Sequence, residues 1–255
     1  NTAVGYNALN LNTTGTYNVA VGGDALEKNT ASNNTAVGYQ ALEENTTGEY
    51  NTAVGTYAIT AATTAQRNTA VGYGSGDAIT TGSYNTGVGM GAMGGVTTGE
   101  YNTAVGYQAL VAANNTADNN TAIGYNTLYA NTTGFNQTAV GSGALQANTT
   151  SNSNTAVGRD ALNANTTGSA NTALGSSSLK ANTTADYNTA IGESALLLNT
   201  TGGNNTAVGA AALDASTTAS NNTAVGRSVL TDNTTGTENT AVGAYALTEN
   251  TTGGT

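Results

Sequence analysis

The sequence predicts an all-β fold, a repetitive β-solenoid (β-roll) of about fifteen 17-residue coils. Three observations predict it: a short unit recurs without a break, an aliphatic residue holds one fixed place in each unit, and turn chemistry holds another. The unit opens Asn-Thr-Ala-Val-Gly and restarts at Asn1, Asn18, Asn34, Asn51, Asn68, Asn85, Asn102, Asn120, Gln137, Asn154, Asn171, Asn188, Asn205, Asn222 and Asn239. Units are 17 residues long except Asn18–Asn33, with 16, and Asn102–Asn119, with 18, so fifteen of them use all 255 residues. One continuous array over residues 1–255 is therefore expected. In phase at both ends, it reads as a segment of a longer chain.

The first element of each coil is a short strand. Thr and Val alternate with Ala, and β-branched side chains suit a pleated strand whose successive side chains face opposite ways. Thr2 and Val4 then share one face; Asn1, Ala3 and Gly5 share the other, and both faces are restricted in every coil. The near-invariant Ala implies close packing against that face, from the far wall of the coil or from another chain. The aliphatic fourth position is read as core: Val4, Val21, Val37, Val54, Val71, Val88, Val105, Ile123, Val140, Val157, Leu174, Ile191, Val208, Val225 and Val242.

The second element is an Ala-Leu step, the opposite wall. Its core residues are Leu9, Leu26, Leu42, Ile59, Leu110, Leu128, Leu145, Leu162, Leu179, Leu196, Leu213, Leu230 and Leu247. The return carries Asn-Thr-Thr-Gly, as at 45–48 and 165–168, where Asn and Gly tolerate positive φ and Asn or Thr can bond the backbone. Gly and β-branched residues interrupt any helical periodicity, and the absence of Pro leaves main-chain pairing between coils unobstructed. At a strand spacing of about 4.8 Å the stack would be roughly 70 Å long. One Val and one Leu per coil is a thin core against the entropy of ordering the coil. Ladder hydrogen bonds, stacked Asn and Thr side chains and burial against neighbouring chains are expected to supply the remainder.

One coil departs from the rule. In 68–84, Gly76 takes the Leu place and Ala78-Ile79 come three positions late, so Ile79 is expected to restore the wall. The following coil is Gly-rich, which makes 68–101 a candidate bend or soft spot.

Composition excludes several functions. Fifteen acidic against five basic residues give a net charge of −10, which argues against nucleic acid or an anionic membrane surface as partner. No apolar run approaches the roughly 18 residues of a membrane-spanning helix, and membrane insertion of this segment is not expected. With no Cys and no His, disulfides, thiolate metal sites and the commonest catalytic base are absent. Glu43-Glu44 is the only adjacent acidic pair, and Asp24, Asp77 and Asp160 are isolated and off any calcium-repeat frame. The run 89–94 spells a dinucleotide-type Gly motif but lies inside a repeat rather than in a βαβ unit. No catalytic, metal or cofactor residues are assigned, and an enzyme is not expected.

Asn-x-Thr sequons recur at Asn12, Asn45, Asn131, Asn148, Asn165, Asn182, Asn199, Asn233 and Asn250. They are candidate glycosylation sites, though the repeat's turn chemistry writes them on its own account. Tyr recurs just after the strand Gly (Tyr6, Tyr39, Tyr73, Tyr107, Tyr125) and just before the next strand (Tyr17, Tyr50, Tyr84, Tyr101, Tyr187). These rows read as flank packing or as a contact ridge.

The Asn-Thr-Ala-Val-Gly and Asn-Thr-Ala-Ile-Gly cores resemble the repeats of trimeric autotransporter adhesin heads and of related phage tail-fibre shafts. The aliphatic-Gly step of that family falls on Val4-Gly5, Val21-Gly22, Val37-Gly38 and onward to Val242-Gly243. The family's coil is typically shorter; the Asn-Thr-Thr-Gly segment lengthens the return here. The resemblance implies a left-handed parallel β-roll, three chains about one axis, and exposure on a cell or virion surface. The expected function is an extracellular structural fibre or filament segment, a rigid adhesive shaft or spacer. Its expected partners are copies of itself, as homotrimer or head-to-tail filament, and a glycan or protein receptor on another surface. An ice-binding solenoid using Thr ranks at Thr2, Thr35, Thr52 and Thr14, Thr47, Thr64 is the alternative.

Overall fold

The computed structural model describes residues 1–112 and 114–254. It is an all-β solenoid with one three-residue strand per coil and no helix among the described residues. Two compact units divide the chain, Asn1–Asn126 with Asn131–Thr133, and Thr127–Ala130 with Gly134–Thr255. The first holds β1 (Thr2–Val4), β2 (Val19–Val21), β3 (Thr35–Val37), β4 (Thr52–Val54), β5 (Thr69–Val71), β6 (Thr86–Val88), β7 (Thr103–Val105) and β8 (Thr121–Ile123). The second holds β9 (Thr138–Val140), β10 (Thr155–Val157), β11 (Thr172–Leu174), β12 (Thr189–Ile191), β13 (Thr206–Val208), β14 (Thr223–Val225) and β15 (Thr240–Val242).

Within each unit, consecutive strands pair parallel and in register, so that Ala36 lies beside Ala53 and Val37 beside Val54. The 16-residue coil keeps the register, Val19 meeting Thr35. So does the 18-residue coil, Thr103 meeting Thr121. A one-residue slip would exchange the two strand faces, and each length change is absorbed in the return instead.

Main-chain bonds run to both neighbouring coils. Thr35 N–H donates to Asn51 O at 2.8 Å and Gly38 N–H to Val21 O at 2.8 Å. On the opposite wall, Leu42 N–H donates to Ala58 O at 3.1 Å and Gln40 N–H to Gly23 O at 2.9 Å. That wall is no strand. Its seventh and ninth residues hold positive φ, as at Gln40 (+55°) and Leu42 (+53°). A residue with a Cβ resists this conformation by roughly 1–2 kcal/mol. Complete burial of the Leu side chain, worth about 1.5–3 kcal/mol, offsets that cost.

The strand Gly makes the corner. Its φ lies near +138° at Gly38, Gly55 and Gly72, and a Cβ on Gly38 would stand 2.4 Å from Gly55 O. Conformation and contact both forbid a side chain, which explains Gly at this place in all fifteen coils.

The strand face expected to form the core is reversed. Val4, Val21, Val37, Val54, Val71, Val88, Ile123, Leu174 and Val242 are exposed, while Val105, Val140, Val157, Ile191, Val208 and Val225 are only half-buried. The inward positions are the third-place Ala, such as Ala36, Ala53 and Ala156, all fully buried. The coil is too narrow for anything larger there, because the ninth-place side chain reaches across from the other wall. Ile59 and the Leu residues from Leu26 to Leu230 in the core set are fully buried. Leu9 is half-buried and Leu247 exposed, each in a coil stacked on one side only.

The irregular coils keep a filled interior. Ile79 is fully buried, and a Cβ on Gly76 would stand 2.8 Å from Ile79 Cδ1, so the Ile side chain occupies the space the missing Leu leaves. One coil later, the only third-place Gly, Gly87, faces the only ninth-place Met, Met93. A Cβ at Gly87 would lie 2.5 Å from Met93 Cε and 2.8 Å from Ser75 Oγ. The longer side chain on one wall is accommodated by the missing methyl on the other. Gly87→Ala alone is therefore expected to destabilise by about 1–3 kcal/mol through overpacking. Adding Met93→Leu is expected to restore most of that loss. A denaturant double-mutant cycle reads the coupling, and additive effects would refute the pairing.

Candidate functional site: internal ladders and an outward apolar face

The repeat's conserved polar residues are mostly inside. The first-place Asn turns its amide inward and makes two kinds of bond. Its Oδ1 accepts the N–H of the next coil's first residue, as from Asn51 to Asn34 at 2.9 Å. Its Nδ2 donates to the carbonyl at the end of its own return, as from Asn34 to Gly48 O at 2.8 Å. Gln137, the one replacement, keeps both: its Oε1 accepts from Asn154 N–H at 3.1 Å and its Nε2 donates to Ser151 O.

The sequon Asn residues form a second internal ladder. Asn182 Nδ2 donates to Asn165 Oδ1 at 2.9 Å, and Asn199 Nδ2 to Asn182 Oδ1 at 3.1 Å. The same amides bond their own return, Asn165 Nδ2 to Gly168 O at 2.9 Å. This corrects the glycosylation reading. Asn45, Asn131, Asn148, Asn165, Asn182, Asn199 and Asn233 are fully buried, so a glycan on Nδ2 would have to occupy the coil interior. Asn12 and Asn250 are half-buried and bonded within their own turns. The Thr that follows belongs to a third ladder, its hydroxyl donating to the carbonyl of its counterpart in the next coil, as from Thr46 to Thr63 O at 2.9 Å.

The Asn ladder has gaps. Ala62, Ile79 and Val96 interrupt it in three successive coils, and Ser216 in another. The buried Oδ1 atoms of Asn45 and Asn199, just below these gaps, have no hydrogen-bond partner among the described residues, nor does Ser216 Oγ.

What faces outward is the strand row of aliphatic side chains beside a row of half-exposed Thr. In the first unit, aromatic side chains flank it on both sides. After the strand, Tyr39, Tyr57 and Tyr73 meet edge to face at centroid distances of 5.7 and 5.8 Å, and Tyr107 stacks on Tyr125 at 5.5 Å. Before the strand, Arg67 lies 5.3 Å from the rings of both Tyr50 and Tyr84, and Tyr84 stacks on Tyr101 at 4.9 Å. These rings, exposed except for the half-buried Tyr57, are ordered against each other, so both flank packing and a contact ridge describe them.

Among the described residues no group of three or more acidic, His or Cys side chains converges to hold a metal ion, and no helix is long and apolar enough to cross a membrane. Comparison with protein-family profiles, curated proteins and solved structures finds no match to this chain.

Two stability predictions follow from buried polar groups. Ser216→Asn supplies a donor to Asn199 Oδ1 and removes the unpaired hydroxyl. It is expected to raise the apparent melting temperature by a few degrees, about 1–2 kcal/mol, in a thermal melt. Asp214 is the second case. Burial raises its carboxyl pKa, opposed by the backbone N–H groups of Asp214 and Ala215, and Asp232 adds to the rise. The folded state thus holds this proton more tightly, and the stability present at acid pH is lost as pH rises through the raised value. Asp214→Asn is expected to melt higher than wild type at neutral pH. The gain should vanish below about pH 4, and a pH-independent gain would refute the cause.

Proposed function

We propose that this chain is a structural fibre segment exposed outside a cell or virion, a rigid adhesive shaft or spacer that self-associates through its strand face. The observation that carries this reading is the outward aliphatic row. Val, Ile or Leu occupies that place in all fifteen coils, yet in none of them is it buried: nine are exposed and six half-buried. An exposed position free of contacts would drift to polar residues; a row of contiguous apolar side chains suits burial against another copy. The three internal ladders supply the stiffness, because each coil bonds its neighbours through main chain and side chain alike. Variable residues around the returns and the tyrosine rows offer contact surface for a glycan or protein receptor. A homotrimer is the assembly that buries the strand face; a head-to-tail filament would join coil to coil instead and is the alternative assembly.

A second reading has one observation in its favour: the Thr of every strand except β2, where Val19 takes its place, stands beside the aliphatic row in register, as an ice-binding rank would. Thermal hysteresis in solution would support it.

Sedimentation velocity tests the first. The chain is expected to run as an oligomer, and replacing Val37, Val54 and Val71 by Lys is expected to dissociate it with the β circular dichroism signal retained. A wild-type chain that is monomeric at high concentration would overturn self-association.

A further inference from the structure

We propose that a recess on the first unit, between the coils of Asp77, Gly94 and Val111, binds a primary ammonium group carried on an aliphatic stem. It is a break in the repeat. In neighbouring coils the seventh and tenth places carry side chains such as Tyr57 and Thr60, or Gln108 and Val111. Here Gly74 and Gly91 take the seventh place in successive coils and Gly94 the tenth, leaving a space of about 260 Å³.

Its chemistry has one pole. The Asp77 carboxylate spans the gap: Cβ atoms built on Gly94 and Gly74 would lie 3.3 Å from its Oδ1 and 3.6 Å from its Oδ2. Oδ1 is itself buried, with no hydrogen-bond partner among the described residues, so an ammonium in the recess would meet the carboxylate at Oδ2. Among the described residues no Lys or Arg lines the space. Tyr73, Met90, Gln108 and Val111 also line it. A single charged acceptor at the end of a mainly apolar slot fits a cationic donor with a hydrocarbon stem. A sugar would bring several hydroxyls to a site with one carboxylate and one amide. Burial also raises the Asp77 pKa, opposed by the backbone N–H groups of Asp77 and Ala78, and no counter-charge acts on it.

The repeat contains its own control. Asp214 holds the same place in its coil and also has a buried, unpaired Oδ1, but Ala211 and Ser228 stand where the glycines would be. An unpaired oxygen thus comes with Asp at this place; access comes with the glycines. The inference is independent of the fibre reading, since it needs no self-association.

The test titrates the full chain by calorimetry with 1,5-diaminopentane and, separately, with an end-capped peptide bearing one lysine. Saturable binding at one site is expected, weakened at least about tenfold by Asp77→Asn and by Gly91→Gln, and unchanged by Asp214→Asn. Gly91→Gln fills the recess without new backbone strain, because Gln40 and Gln108 hold φ of +55° and +50° at the same place against +64° at Gly91. Should that variant misfold, Asp77→Asn, which preserves shape, decides alone. Preference for the diamine marks a free amine as the source, and preference for the peptide marks a lysine side chain. Absence of saturable binding, equal binding to Asp77→Asn, or binding of a neutral monosaccharide in place of both amines would overturn the proposal.

Discussion

The inward amide at the start of each coil is the interaction on which the rest depends. One side chain closes the coil, through Nδ2 to the carbonyl of the return, and stacks it, through Oδ1 to the next coil's main chain. A coil of about seventeen residues with so little apolar surface cannot hold its shape by hydrophobic burial alone. Buried amides that are fully paired supply direction as well as energy, and they fix the spacing and register of the next coil. The persistence of both bonds at Gln137, with an added methylene and a Ser in the return, shows how strictly the geometry is kept.

A narrow interior has consequences outside. Since the ninth-place Leu fills the space between walls, the strand can turn only a methyl inward, and its larger aliphatic side chain must point out. The apolar row is thus displaced to the surface by the same packing that makes the coil stable. The pairing of Gly87 with Met93, and of Gly76 with Ile79, shows the same volume rule at work where individual coils depart from the repeat.

Irregularities are where specific chemistry collects. Three glycines in adjacent coils turn an ordinary row of surface side chains into a recess lined by a carboxylate. In a repeat array every coil offers the same surface, so a unique site must come from a break in the pattern. The Gly-rich run 89–94, which spells a nucleotide-type motif in isolation, contributes Gly91 and Gly94 to that recess and makes no phosphate loop.

Read by itself, the sequence determined the solenoid class, the coil lengths, the short parallel strand, the Ala-Leu wall, the Asn and Thr stacking and the compensating role of Ile79. Period and residue type suffice for these, since each follows from what recurs at one place in every unit. Which strand face is inward was decided only by tertiary structure. Alternation separates Val37 from Ala36 but carries no sign, and the sign depends on how far Leu42 reaches across the coil. The positive φ of Leu42 was equally illegible, because Leu is a poor candidate for that conformation until its burial is known. The sequons show the same limit: Asn165 reads as a surface acceptor in one dimension, and becomes a buried rung once the coils are stacked.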